Sequence, residues 1–351
     1  MSPDFAIIKI LILTTLSFLI ALFSTPLLTH FLYKYKLGKS IRNNGTTPIF
    51  SKMHAHKQGT PTMGGILVWV TVLVLALIFF YIHHFFPESL LAKLNFLTRS
   101  QTLLPLGALV ITAIVGLFDD IIDVKSKGKG GINVKHRLLI YTAIAFVGAL
   151  WFYYKLDWDV FHIPFIGNFS IGWWYIPVFI FVIAATAFSV NETDGLDGLA
   201  GGSLLPAFAA FSVIAFIQNK IDLASFSAVI IGALIAFLWF NINPARFFMG
   251  DTGAMSLGIT LGIVAMLTNQ ALLLVVIGFV LVVESLSVII QQISKKLRNN
   301  KKIFLSTPIH HHFQAIGWSE PKIVMRFWLI SGITAVAGII IFLLDTSTKL
   351  N

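Results

Sequence analysis

Residues 5–33 read FAIIKILILTTLSFLIALFSTPLLTHFLY, with Lys9 as the one lysine, arginine or carboxylate side chain in the run. An α-helix rises 1.5 Å per residue, so roughly 20 apolar residues cross the ~30 Å hydrocarbon layer of a bilayer. The stretch exceeds that length. It is too long for the apolar core of a signal peptide and has no clear small-residue cleavage site, so it reads as a first membrane helix. Comparable runs recur to the end of the chain, at roughly 66–86, 103–122, 138–156, 172–190, 201–219, 222–241, 254–269, 271–291 and 324–344, each bounded by charge, proline or glycine. Composition agrees: 57% of residues are hydrophobic and 11% charged, against about 25% charged in soluble domains, which excludes a water-soluble globule. Barrel strands alternate at period two over about ten residues, and these runs do not, which excludes a membrane barrel. The absence of cysteine excludes disulfides, thiolate nucleophiles and Cys-ligated zinc. The expectation is an all-α polytopic membrane protein of about ten transmembrane helices, a single integral domain over residues 1–351.

Charge gives the chain a sidedness. The five odd-numbered connections between spans, with the helix ends that border them, hold 19 of the 25 lysines and arginines, which by the positive-inside rule puts them in the cytoplasm and both termini on the periplasmic side of an inner membrane. The net charge of +10 therefore fits topology and anionic lipid better than nucleic acid. Eight carboxylates (Asp119, Asp120, Asp123, Glu192, Asp194, Asp197, Asp251, Glu320) fall at the same helix ends and loops. A transporter would instead place its carboxylates near the bilayer midplane, where only Glu284 is expected, and Glu284 reads first as a structural hydrogen-bonded group.

Five clusters on that face could carry chemistry. The third span ends in FDDIID (118–123) and runs into Lys125, Lys127, Lys129 and Lys135. On a helix Asp119 and Asp123 share a face while Asp120 lies about 100° round. Such carboxylates suit magnesium, a hard ion that takes oxygen ligands and phosphate oxygens together. The fifth span ends in NETDGLDGLAGG (191–202), two Asp-Gly-Leu units opening into a helix, with glycines that permit close approach to an anion. Asp-Gly pairs are also ordinary turn chemistry. After the seventh span, NINPARFFMGDTG (241–253) sets Asp251 between glycines at a helix mouth. The last loop holds TPIHHHF (307–313), and KQGTPTMGG (57–65) makes a glycine-containing turn with one cation. Three consecutive histidines cannot all reach one metal from a helix or strand. Together, carboxylates for magnesium and amides for anions on a basic surface are the apparatus of phosphoryl transfer.

The segments GTPTMGG (59–65), FDD (118–120), NETDGLDGLA (191–200), FLWFNINPARFFMGDTG (237–253), VVESLSVIIQ (282–291) and IFLSTPIHHHF with GWSEPKIVMRFW (303–313, 317–328) jointly resemble the phospho-N-acetylmuramoyl-pentapeptide transferases. These belong to the polyprenyl-phosphate N-acetylhexosamine-1-phosphate transferases. The resemblance covers nearly the whole chain. It implies transfer of phospho-MurNAc-pentapeptide from UDP-MurNAc-pentapeptide to undecaprenyl phosphate with release of UMP and formation of lipid I, using magnesium. It implies that Asp119, Asp120 and Asp251 form an acidic catalytic trio. Asp251 would be the metal ligand, with Asp119 and Asp120 as further candidates, and Asp119 would engage or deprotonate the lipid phosphate. Lys57, Asp194, Gly195, Asp197, Asn241, Phe248 and Gln291 would line the nucleoside pocket, with Phe248 stacking on uracil, and Thr62 and Asn191 would also bind substrate. Lys127 and Lys135 would face the phosphates, and His310, His311 and His312 the pyrophosphate-sugar side. Direct attack by the lipid phosphate and a phospho-aspartate route both remain open. The chain departs from the family pattern at Phe188, Glu192 and Gln314, none of them a catalytic carboxylate. A sister transferase acting on UDP-N-acetylglucosamine is the competing enzyme, and a homodimer is compatible with the sequence.

Overall fold

The computed structural model describes residues 3–38, 57–126 and 131–348. Lys127, and with it Lys129, lies outside the described residues. The chain runs through α1 (Pro3–Lys34), α2 (Ile66–Phe85), α3 (Leu103–Lys125), α4 (Val134–Lys155), α5 (Tyr175–Thr193), α6 (Leu199–Ile217), α7 (Ile221–Asn241), α8 (Gly250–Leu267), α9 (Leu273–Ile277), α10 (Phe279–Leu297), α11 (Ile309–Ala315) and α12 (Glu320–Thr348). A small antiparallel hairpin, β1 (Val160–Ile163) with β2 (Gly167–Ser170), sits between α4 and α5 and is the one departure from an all-α chain among the described residues. Nine helices there are long and apolar enough to cross a membrane.

The expected ninth span, 271–291, is not one helix. Gly278 interrupts it after the five-residue α9, and the longer α10 carries Glu284, Lys295 and Lys296. This helix is polar on its inner side, where Glu284, Ser285, Ser287, Gln291 and Ser294 are buried, while Leu286, Ile289, Ile290, Ile293 and Leu297 are exposed. That reverses the pattern of a helix in water and suits a lipid-facing one.

Helix α8 is the central pillar, with every residue from 252 to 268 buried. Without a hydrophobic drive between helices in lipid, close packing through small residues does the work. A Cβ on Gly116 of α3 would stand 2.4 Å from the Asp251 carbonyl oxygen, and one on Gly258 would stand 2.8 Å from the Ala187 Cα of α5. On another flank α1 packs along α7, where Ser17 Oγ donates to the Val229 carbonyl at 2.6 Å.

Polar cross-links gather at the two ends of the bundle. At one end Lys9, 2% exposed, donates to Asp222 and to the Asn95 carbonyl, and His162 joins Asp345 and Asn269. At the other end the described parts of the connections α1–α2, α3–α4, α5–α6, α7–α8 and α10–α12 meet, with Lys57 on Asp197 and Glu320, Pro61 and Gly64 on Phe248, and Arg137 on Asp251.

Candidate active site

Asp120, toward the end of α3, faces the start of α8. Its Oδ1 accepts from Asp251 N and its Oδ2 from Thr252 N, each at 3.0 Å, and the Thr62 hydroxyl lies 3.5 Å away. These amides belong to the helix start, where intrahelical partners are missing. A carboxylate there is further favoured by the helix dipole. Gly250 makes the approach possible: its φ is +73°, and a Cβ would strike the Asp120 and Thr62 oxygens at 2.6–2.9 Å. Both oxygens of Asp120 are thus committed to holding α8 against α3.

The neighbouring Asp119 is fully enclosed. Its Oδ1 accepts from Ile132 N at 2.5 Å, and its Oδ2 lies 2.8 Å from Arg137 Nε. Arg137, at the first turn of α4, lays its fork on Asp251, with Nη1 3.0 Å from Oδ1 and Nη2 2.7 Å from Oδ2. Asn191, from the end of α5, donates to Asp251 Oδ1 at 2.6 Å and accepts from Arg137 Nη1 at 3.1 Å. Four helices therefore converge on one guanidinium. Bidentate arginine–carboxylate pairs are the stronger, geometrically specific kind.

A second cation organises the adjoining loops. Lys57 Nζ lies 2.6 Å from Asp197 Oδ1 and 2.5 Å from Glu320 Oε1, and sits 5.8 Å above the centre of the Phe248 ring. Asp197 Oδ2 accepts from Asn243 Nδ2 and Ala245 N, which shapes the loop before α8. Asn241 accepts from Gly198 N and donates to the Phe247 carbonyl, tying that loop to the Asp-Gly-Leu turn. Phe248 is fixed through its own peptide, with its N–H on Pro61 O and its carbonyl receiving Gly64 N.

The histidines divide. His310 is buried with Nδ1 2.9 Å from Glu284 Oε2, and its Nε2 would lie 2.2 Å from a Cβ placed on Gly195. Burial, helped by Lys57, pushes the ring down to about 3, so it is neutral at neutral pH. His311 is also held well below its ordinary value, by burial and by His310, and pairs with Gln314. His312 accepts from Leu305 N at 3.3 Å. Gln291 binds the backbone of Ile303 and Phe304 with both ends of its amide.

The profile of glycosyl transferase family 4 matches residues 102–269, from the start of α3 to just past α8, and the phospho-N-acetylmuramoyl-pentapeptide-transferase signature 1 matches residues 57–67. Curated relatives named phospho-N-acetylmuramoyl-pentapeptide-transferase include one from Chloroflexus aggregans, 38% identical over 97% of this chain and 91% of its own. Another, from Bacillus anthracis, is 40% identical over 95% of this chain and 97% of its own. The Shouchella clausii protein is 40% identical over the same shares. The chain belongs to the phospho-N-acetylmuramoyl-pentapeptide-transferase family.

As a member of that family the chain is a multi-pass membrane transferase, and its matched segments are those that build the site. Asp119, Asp251 and Asn191 come together around Arg137, with Asp120 behind them on the amides of Asp251 and Thr252, and Asp197 and Phe248 lie around Lys57, with Asn241 bracing the adjoining turn. Asp194 closes α5 beside Gly195. Lys135 is exposed at the head of α4. Two residues that the sequence reading left without a role are central: Arg137, two positions beyond Lys135, and Glu320, which receives both Lys57 Nζ and Asp197 N. Glu284, read as a structural group, does hydrogen-bond His310.

Among the described residues no three histidines, aspartates or glutamates form a metal cage. Asp119 and Asp251 nevertheless meet on a single cation from two helices, and two carboxylates completed by phosphate oxygens and water are a donor set that magnesium takes. The residues fit the ion. Asp120, with its oxygens on backbone amides, is placed to support that pair.

Proposed function

We propose that this chain transfers phospho-MurNAc-pentapeptide from UDP-MurNAc-pentapeptide to undecaprenyl phosphate, forming lipid I and releasing UMP, at the cytoplasmic face of the inner membrane. The observation that carries the reading is the meeting of Asp119 and Asp251 on one cation beside the loops that Lys57 ties together. An oxygen of the lipid phosphate attacks the phosphorus nearer the sugar, a new P–O bond forms, and the P–O bond to UMP breaks, UMP keeping the electron pair. Little covalent help is required of the enzyme, so positioning and charge neutralisation dominate.

Magnesium, held by Asp251 with Asp119, would neutralise and orient the diphosphate. Phe248, fixed through its own peptide, offers uracil a face. Lys57 holds Asp197 and Glu320 together behind that face and keeps the turn at Gly195–Gly198 in shape. His310, backed by Glu284, supports the same turn from below. Asp119, fully enclosed, with one oxygen on Ile132 N and the other beside Arg137, is poorly placed to attack phosphorus, which favours the direct route. The basic connections favour the cytoplasmic side and periplasmic termini.

The test is UMP release by the purified chain in detergent with undecaprenyl phosphate, magnesium and one of two donors. UMP from UDP-MurNAc-pentapeptide alone supports the proposal. UMP from UDP-N-acetylglucosamine alone moves the chain to the sister activity, and UMP from neither, with folded protein, overturns both.

A further inference from the structure

Arg137 stands where the reaction would need room. Its guanidinium covers both oxygens of Asp251 and one of Asp119, the two carboxylates assigned above to magnesium. It is held there by further bonds to Asn191 Oδ1 at 3.1 Å and to the Ile132 carbonyl at 3.1 Å. The side chain is only 15% exposed. A divalent cation bound by the same oxygens would sit in contact with a guanidinium of like charge. Magnesium also demands near-ideal geometry at ~2.0–2.1 Å from its ligands, which a carboxylate already forked by arginine cannot offer on the same lone pairs.

We propose that Arg137 is a counter-cation for Asp119 and Asp251, which the metal and the donor's diphosphate displace together. In this arrangement the guanidinium neutralises two carboxylates that would otherwise repel each other inside the protein. A diphosphate gives the same fork an alternative partner of matching geometry. Arg137 then turns from carboxylate to phosphate, and the oxygens it leaves become metal ligands. Metal and diphosphate therefore bind with positive coupling, each raising the other's affinity. Metal offered alone sees an affinity reduced by the small fraction of molecules in which Arg137 is already turned away. The inference rests on the proposed assignment of Asp119 and Asp251 to the metal.

The test reads metal binding without turnover. Mn²⁺ is titrated into the purified full chain in detergent, and free ion is followed by electron paramagnetic resonance. The protein is wild type, Arg137→Ala, Arg137→Lys or Asp251→Asn. Without nucleotide, R137A should bind Mn²⁺ at least tenfold more tightly than wild type. R137K, which keeps a charge but lacks the fork, should fall between them, and D251N should bind more weakly than wild type. UDP, corrected for its own Mn²⁺ complex, should tighten binding to wild type more than to R137A. If R137A does not fold, R137K decides, with a threefold or greater gain expected. Affinity in the folded Arg137 variants equal to or below that of wild type overturns the proposal. Because no product is measured, a chain that releases no UMP yet gains Mn²⁺ affinity on losing Arg137 would refute the transferase assignment and leave the counter-cation standing.

Discussion

Asp120, toward the end of one helix, receives the N–H groups of Asp251 and Thr252 at the start of another, each at 3.0 Å. A carboxylate that the sequence offers as a catalytic group thus serves as the N-terminal cap of the central helix. Capping contributes typically ~1 kcal/mol and up to about 2. Asp120→Ala should accordingly lower stability by about 1–2 kcal/mol and slow UMP release through displacement of Asp251. Thermal unfolding in detergent checks this, and an unchanged midpoint would remove the capping role.

Asp251→Ala should abolish turnover, with a loss on the order of 10²-fold or more, the scale seen when a charge-stabilising group is removed from an active site. The protein should still elute as a folded species, because the packing of α8 lies below this residue. Activity near the wild-type rate would displace the site from where it has been drawn.

Lys57→Met leaves Asp197 and Glu320 without their shared cation. The loops before α6 and α8 should loosen, and the effect should fall on the donor: its KM should rise by about tenfold, the equivalent of ~1.4 kcal/mol, with a smaller change in kcat. Steady-state kinetics at varied donor concentration separates the two, and an unchanged KM would place the nucleotide elsewhere.

Acid should weaken the fold through His310. The ring is held at about 3 when buried and titrates near 6.5 in an unfolded chain. Between those values the unfolded chain binds the extra proton, so stability is complete above about pH 6.5 and falls as pH drops toward 3. The slope from one such group is at most about 1.4 kcal/mol per pH unit. His310→Asn should flatten it, measured as the unfolding midpoint from pH 7.5 to 5, and a variant with the full wild-type slope would assign the effect to other groups.

Lys301, exposed in the loop after α10, offers a contrast. Its side chain reads as a topology and lipid-surface charge, so Lys301→Gln should leave UMP release within about twofold. That bound allows for the few tenths of a kcal/mol ordinary at a surface site. A larger loss would widen the active face.

The membrane helices were legible because lipid enforces long apolar runs with satisfied backbones. Their ends located both cation-centred clusters. The break at Gly278 was hidden because residues 271–283 stay apolar on both sides of it, and only the buried polar stripe of α10 reveals its orientation. Arg137 escaped notice for another reason. It lies among several lysines of similar local pattern, and its partner Asp251 is 114 residues away. Such a pairing is set by α4 packing on α5 and α5 on α8, which no local spacing records. Asp120 shows the same limit: its chemistry suited a ligand, and only the position of α8 makes it a cap.

Gly116 lies one turn before Asp119 on the same helix, with no polar atom of its own to offer the reaction. Its missing methyl group is what lets α3 rest on the backbone of Asp251. The alignment of the two carboxylates is therefore written in the apolar interior as well as at the polar surface. Enlarging that one position by a single carbon would register as a lesion of the catalytic face, while the loops that border the face could change length around an unmoved pair.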